Sequence, residues 1–95
     1  MSSFTIFDVV NMVLCAGGIP VFSDVEKKSI TINLENIKKV YDDEVAAILI
    51  THTHLINADI EKISNFAREK NILLIEDCAI SYGTNKNGKL IGTIG

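Results

Sequence analysis

The sequence predicts an α/β fold built on a mainly parallel sheet with flanking helices, and three observations predict it. The runs Val45 to Thr51 and Ile72 to Ile75 are almost wholly apolar and of strand length, the pattern of strands covered on both faces. Between them Ile60, Ile63, Phe66 and Ala67 recur at helical spacing. Strand and helix patterns alternate over most of the chain, as they do in α/β layers.

Taken in order, Ser3 to Ile6 reads as the end of a strand, and Asp8 as the cap of a short helix over Val9 to Ala16 that Gly17-Gly18 stops. Ile19 to Val25 reads as a strand and Ser29 to Ile32 as an extended, β-branched stretch. Asn33 caps a helix with Leu34, Ile37 and Tyr41 on one face, closed by Asp42-Asp43. After the strand Val45 to Thr51, Asn57 or Asp59 caps a helix that runs to about Lys70. Its outer face carries Glu61, Lys62, Arg68 and Glu69, and the acidic start and basic end suit the helix dipole. Asn71 leads into the strand Ile72 to Ile75, and the chain then breaks into polar residues at Glu76-Asp77. In the tail, Thr84 to Gly95, Asn87-Gly88 predicts the tight turn of a hairpin.

With 95 residues, 47% of them hydrophobic, the chain can build one modest core and no more. Twelve acidic residues outweigh nine basic ones, and no Lys/Arg cluster exceeds a pair, which argues against a nucleic-acid surface. Cys15 and Cys78 lack CxxC spacing and read as two reduced, buried thiols. The apolar run Val9 to Ala16 is too short to span a bilayer and no basic leader precedes it, so a soluble, cytoplasmic protein with no membrane contact is expected.

The stretch ITHTHLINAD, residues 50–59, places two histidines one residue apart at a strand end. On an extended chain His52 and His54 point to the same side, so both could reach one zinc ion. The opening resembles that of metallo-β-lactamase-fold hydrolases, but the places of that family's next Asp and His hold Ile56 and Asn57. Asp59 becomes a third ligand only by leaving the first helical turn. A metal-binding, hydrolase-like site at His52/His54 is therefore a third-ranked reading, and the plainer one makes one histidine a strand-end residue and the other a surface residue. In parallel sheets ligands bind beyond the carboxyl ends of the strands, and both His52/His54 and Glu76/Asp77 stand at that edge.

Read continuously, FTIFDVVNMVLCAGGIPVFSDV, ITINLENIKKV, AAILITHTHLINADIEKISNFAREKNILLIEDCA and YGTNKNGKLIGTIG resemble the DegT/DnrJ/EryC1/StrS family. Its members are aminotransferases dependent on pyridoxal 5'-phosphate (PLP), acting mostly on nucleotide-linked keto sugars. The resemblance implies that His52 is the family's strand-end histidine, with Ala58 and Asp59 opening the next helix. It aligns Glu76-Asp77-Cys78-Ala79 with the family's Glu-Asp-Ala-Ala, making Asp77 the partner of the pyridine nitrogen. Ile6 takes the place of an aromatic ring that stacks on the cofactor, and Ile80 that of a glutamine or other polar residue touching its ring. His52, Asp77, Ile6 and Ile80 are thus the cofactor-binding positions the resemblance implies. Gly83, Gly88 and Gly92 match a glycine-rich hairpin with a structural role. An aspartate suits its place, because PLP acts as an electron sink while its ring nitrogen is protonated and a carboxylate favours that form.

Family members are several times longer. The resemblance implies that residues 1–95 form a single partial PLP-binding large domain. They lack the phosphate-binding turn upstream, the Schiff-base lysine segment downstream and the C-terminal small domain. Lys62, Lys70, Lys86 and Lys89 do not replace that lysine, which needs a protected pocket. The chain is therefore expected to be inactive alone as an aminotransferase moving an amino group from a donor such as glutamate to a keto sugar. The alternative expectation is a non-catalytic piece that associates with a full-length relative, the family being homodimeric. Transaminase and dehydratase ancestry are not separated. A receiver domain of response regulators also ends a strand in acidic residues, but it needs an early acidic pair, and the first eight residues offer only Asp8.

Overall fold

The computed structural model describes residues 1–53 and 58–95. Its elements are helix α1 (Phe7–Cys15), helix α2 (Leu34–Val40), strand β1 (Ala47–Thr51), helix α3 (Ile60–Lys70), strand β2 (Leu73–Asp77), and a hairpin of β3 (Asn85–Lys86) and β4 (Lys89–Leu90). β1 and β2 pair in parallel, from Ala47 opposite Leu73 to Thr51 opposite Asp77. α3 forms the crossover between them, so the expected α/β class holds.

Local signals place the best-defined elements. Asn33 caps α2 by accepting the Asn36 N–H at 2.9 Å. The α3 stripe Ile60, Ile63, Phe66 and Ala67 is buried, while Glu61, Lys62, Arg68 and Glu69 face outward. α3 ends at Asn71, whose left-handed backbone lets its N–H reach the Arg68 carbonyl. Ile48 and Ile50 of β1 and Ile37 of α2 join α3 in the core, and Tyr41 packs edge-on to Phe66 with ring centroids 5.3 Å apart. Asn87 and Gly88 both take positive φ, 53° and 80°, as a two-residue hairpin turn requires.

Other expectations need correction. Ser3 to Ile6 is not a strand: only Ser2 bridges, to Ser23, because the Ser2 hydroxyl bonds both the N–H and the carbonyl of Phe4 and turns the chain. Ile19 to Val25 is likewise reduced to single bridges, Ser2 with Ser23 and Val25 with Ile32, since neither neighbour runs alongside it for long. Ser29 to Ile32 contains a turn, with Ile30 at φ 54° and its N–H on the Glu26 carbonyl. α1 begins at Phe7 and ends at Cys15, with Asp8 in its first turn rather than at its cap. Asp59 holds the N-cap position of α3 without a capping bond, its carboxylate taken by Lys62 at 2.7 Å, and Asn57 lies outside the described residues. Cys15 is exposed and Cys78 half-buried, both free.

The largest correction concerns β2, which extends through Glu76 and Asp77 and is covered on one face only. Leu73 and Ile75 stand 69% and 48% exposed, whereas Leu74 packs on the core. Alternation along the strands therefore gives a core face with Ile48, Ile50, Leu74 and Glu76, and an open face with Leu49, Thr51, Leu73, Ile75 and Asp77. Among the described residues no helix is long and apolar enough to cross a membrane.

This division sets a stability contrast. Ile63, wholly buried, should cost about 2–5 kcal/mol on truncation to alanine. Leu73→Ala on the open face should stay within about 0.5 kcal/mol. Urea unfolding midpoints check both, and a large loss at Leu73 would show that its face is covered.

Candidate functional site

β1 and β2 end level with one another, and the residues that follow the apolar runs gather at this edge. His52 continues the buried series Ile48, Ile50 and so falls on the core face with Glu76. Thr51 and Asp77 oppose one another on the other face. The Thr5 and Thr51 hydroxyls meet at 3.2 Å, which brings the segment before α1, and Ile6 after it, to the same edge.

On the core face the His52 side chain is 0% exposed and that of Glu76 3%. His52 Nε2 lies 3.2 Å from Glu76 Oε2. The same oxygen accepts the Gly92 N–H at 2.9 Å, and Oε1 accepts those of Ile94 at 2.7 Å and Gly95 at 2.6 Å. Burial alone would raise the Glu76 pKa, but the three backbone N–H groups and His52 outweigh it and hold the carboxyl below its usual range. Burial pushes His52 down, ahead of the opposing pull of Glu76, so its imidazole is neutral near pH 7. A carboxylate only accepts, so Nε2 carries the hydrogen. Nδ1 is buried and has no hydrogen-bond partner among the described residues.

The His52 backbone extends the connection: its N–H donates to the Asp77 carbonyl at 3.0 Å, and its carbonyl accepts the Ser81 hydroxyl at 3.1 Å. On the open face Asp77 is half-buried, and its Oδ1 accepts the Ala79 N–H at 3.1 Å. That is the only side-chain hydrogen bond of Asp77 among the described residues. Ile6, at the N-cap position of α1, and Ile80, in the turn after β2, are both exposed and offer apolar contact only. Of the four positions, Asp77, Ile6 and Ile80 are accessible at or beside the edge, and His52 lies behind it.

His54 and Ile56 lie outside the described residues. The fold instead brings Cys78 to His52 and Glu76, with one ligand-type atom of each within 4.8 Å of the others. Sequence spacing did not expose this set, because 24 residues separate His52 from Glu76. Both Glu76 oxygens are engaged by N–H donors, and burial with the neighbouring Glu76 and Asp77 charges pushes the Cys78 thiol up, keeping it protonated. The arrangement is a hydrogen-bonded anchor.

The anchor carries a pH signature. A neutral buried His52 takes up no proton where the unfolded chain does, so stability falls as pH drops below about 6.5. Glu76, with its pKa lowered, adds a second loss as pH falls below about 4.5, where the unfolded carboxyl protonates first. Thermal midpoints measured from pH 8 to pH 3 should therefore fall in two stages, and His52→Gln, which keeps a donor but cannot titrate, should remove the first. Persistence of that stage in the variant would assign it to another group.

The model of the DegT/DnrJ/EryC1/StrS aminotransferase family matches residues 1–95. The GDP-perosamine synthase of Vibrio cholerae is 33% identical over 93 residues, 98% of this chain and 25% of that protein. The dTDP-4-dehydro-2,3,6-trideoxy-D-glucose 4-aminotransferase of Saccharopolyspora spinosa is 27% identical over 95 residues, all of this chain and 25% of that protein. The X-ray structure of the aminotransferase from Psychrobacter cryohalolentis superposes with a TM-score of 0.95 at 32% identity, over 99% of this chain and 24% of that one. The chain spans about a quarter of the length of the relatives it matches. A matched family model from end to end and a shared fold lead to one conclusion: the chain belongs to the DegT/DnrJ/EryC1/StrS aminotransferase family.

Proposed function

We propose that residues 1–95 carry the cofactor-aspartate side of a PLP-dependent sugar aminotransferase. The family is generally PLP-dependent. The observation that carries the reading is the Asp77 carboxylate, set on the open face at the carboxyl edge of two parallel strands, with Oδ1 fixed by one N–H and Oδ2 left for a partner. When bound, PLP supplies an electron sink that works while its ring nitrogen is protonated. Asp77 would hold that proton on the nitrogen, because a neighbouring carboxylate favours the charged form. Ile6 and Ile80 would add dispersion contact without a stacked ring or a polar bond. The names of the relatives support a nucleotide-linked keto sugar as acceptor, and an amino acid such as glutamate as donor is what the family resemblance suggests. A cytoplasmic homodimer is the setting that the family resemblance suggests.

The lysines support a division of labour. Every one but Lys86 is exposed, and Lys86 donates to the Ala58 carbonyl at 2.9 Å. None stands in a protected pocket beside Asp77 among the described residues, so we place the reactive amine outside these 95 residues. A second reading, a non-catalytic piece that associates with a full-length relative, is favoured by the bare Leu73 and Ile75 on the face of Asp77 and by Phe7, 75% exposed.

Two titrations test the proposal. The 95-residue chain alone should leave the absorbance of free PLP unchanged, and a stoichiometric shift would place a reactive amine within it. In the enzyme assembled with the rest of the family fold, Asp77→Asn should weaken PLP binding about 10- to 100-fold, the worth of one hydrogen bond to a charged group. Unchanged affinity would defeat the assignment of Asp77.

A further inference from the structure

We infer that Glu76 and His52 are positioning residues that hold Asp77 in place from the opposite face of the sheet. The inference rests on the cofactor reading of Asp77 and adds to it the means by which that carboxylate is aimed.

Glu76 and Asp77 are consecutive in β2, so their side chains leave opposite faces of one backbone. Fixing the first therefore restricts the second. Glu76 is fixed from three directions: by the Gly92 N–H, by the Ile94 and Gly95 N–H pair, and by His52 Nε2. A buried carboxylate with four N–H donors has little freedom to rotate, since any other rotamer leaves charged oxygen and amide groups unpaired.

His52 closes the circuit. Its side chain meets Glu76, its N–H meets the Asp77 carbonyl, and its carbonyl receives the Ser81 hydroxyl. Ser81 also donates its N–H to the Cys78 carbonyl at 2.9 Å, which folds back the turn that carries Ala79. The Ala79 N–H is the group that holds Asp77 Oδ1. One connected path thus runs from Glu76 through His52, Ser81 and the turn to the carboxylate of Asp77. Neither Glu76 nor His52 needs to touch a cofactor to act on it, and their burial keeps both from doing so on the open face.

A mere tether for residues 92–95 predicts something different from a positioning role, and amide hydrogen exchange separates the two. In Glu76→Gln, with the fold verified by circular dichroism, exchange at Gly92, Ile94 and Gly95 should rise about tenfold or more, the scale of one lost charge-assisted bond. The positioning role requires a comparable rise at the His52 and Ala79 amides, which the Glu76 side chain does not touch, while core amides of α3 such as Phe66 keep their rates. A rise confined to residues 92–95, or one shared equally by Phe66, overturns the inference.

Should Glu76→Gln fail to fold, His52 decides the matter. His52→Leu should accelerate Ala79 exchange, and His52→Gln, which keeps an N–H donor for Glu76, should accelerate it less; equal rates in the two variants overturn the inference. PLP affinity in the assembled enzyme then distinguishes the two claims. If Asp77→Asn weakens binding and Glu76→Gln does not, the positioning role alone fails. If Asp77→Asn has no effect, the cofactor reading fails and the inference falls with it, whatever the exchange rates.

Discussion

A carboxylate taken out of water must be met by donors, and at the end of β2 that requirement organises everything around it. Glu76 has two buried oxygens, and the chain answers with three backbone N–H groups from residues 92–95 and one imidazole. Bringing backbone that close constrains the sequence. Gly92 sits at φ 90°, and a Cβ there would come within 3.2 Å of Cys78 Sγ. A side chain at Gly95 would meet the Leu74 carbonyl at 2.7 Å. The close approach of Gly92 and Gly95 is thus a consequence of a side chain about twenty residues earlier, whereas the neutral state of His52 comes from its burial and stands against the pull of that carboxylate.

The same carboxylate explains why two adjacent acidic residues have different fates. Both end one strand, yet Glu76 is saturated by the protein while Asp77 Oδ2 accepts no hydrogen bond among the described residues. The pleat alone separates them, by sending one side chain to each face. A sheet edge with a satisfied carboxylate behind and an available one in front is rigid where it meets the core and receptive where it does not.

Much of this was legible in local chemistry. Asn33, the α3 stripe and Asn87-Gly88 each signal through residues within a few positions of one another, and each of those elements is present; the Val45 to Thr51 run also forms a strand, but from Ala47 and with only Ile48 and Ile50 buried. What failed was non-local. Ile19 to Val25 has strand-like residues, but a strand exists only if a neighbour runs beside it, and Ser2 turns the adjacent segment aside. The apolar residues of β2 suggested two covered faces, whereas only the alternate set is covered among the described residues. The family motif singles out Asp77 for the proposed role, whereas the hydrogen bonds of Glu76 are not legible in sequence, because their donors come from His52 and from residues 92–95.

The open face also sets a condition on the chemistry. A carboxylate and a protonated ring nitrogen at contact attract by only about 1 kcal/mol in bulk water and several times more where water is excluded. Asp77 shares its face with Leu73 and Ile75, both exposed, so within these residues the carboxylate remains close to solvent. Covering that face would bury apolar surface and strengthen the ion pair in one step, since both gains come from removing the same water. On the proposed cofactor reading of Asp77, cofactor affinity and assembly of the surrounding fold would therefore be linked through this face. By mass action a ligand that binds only the covered form stabilises that form, and the covering segment tightens the ligand by the same factor. On that reading the aspartate would be aimed by the core behind it, while its strength toward a cofactor would be set by what closes over the front.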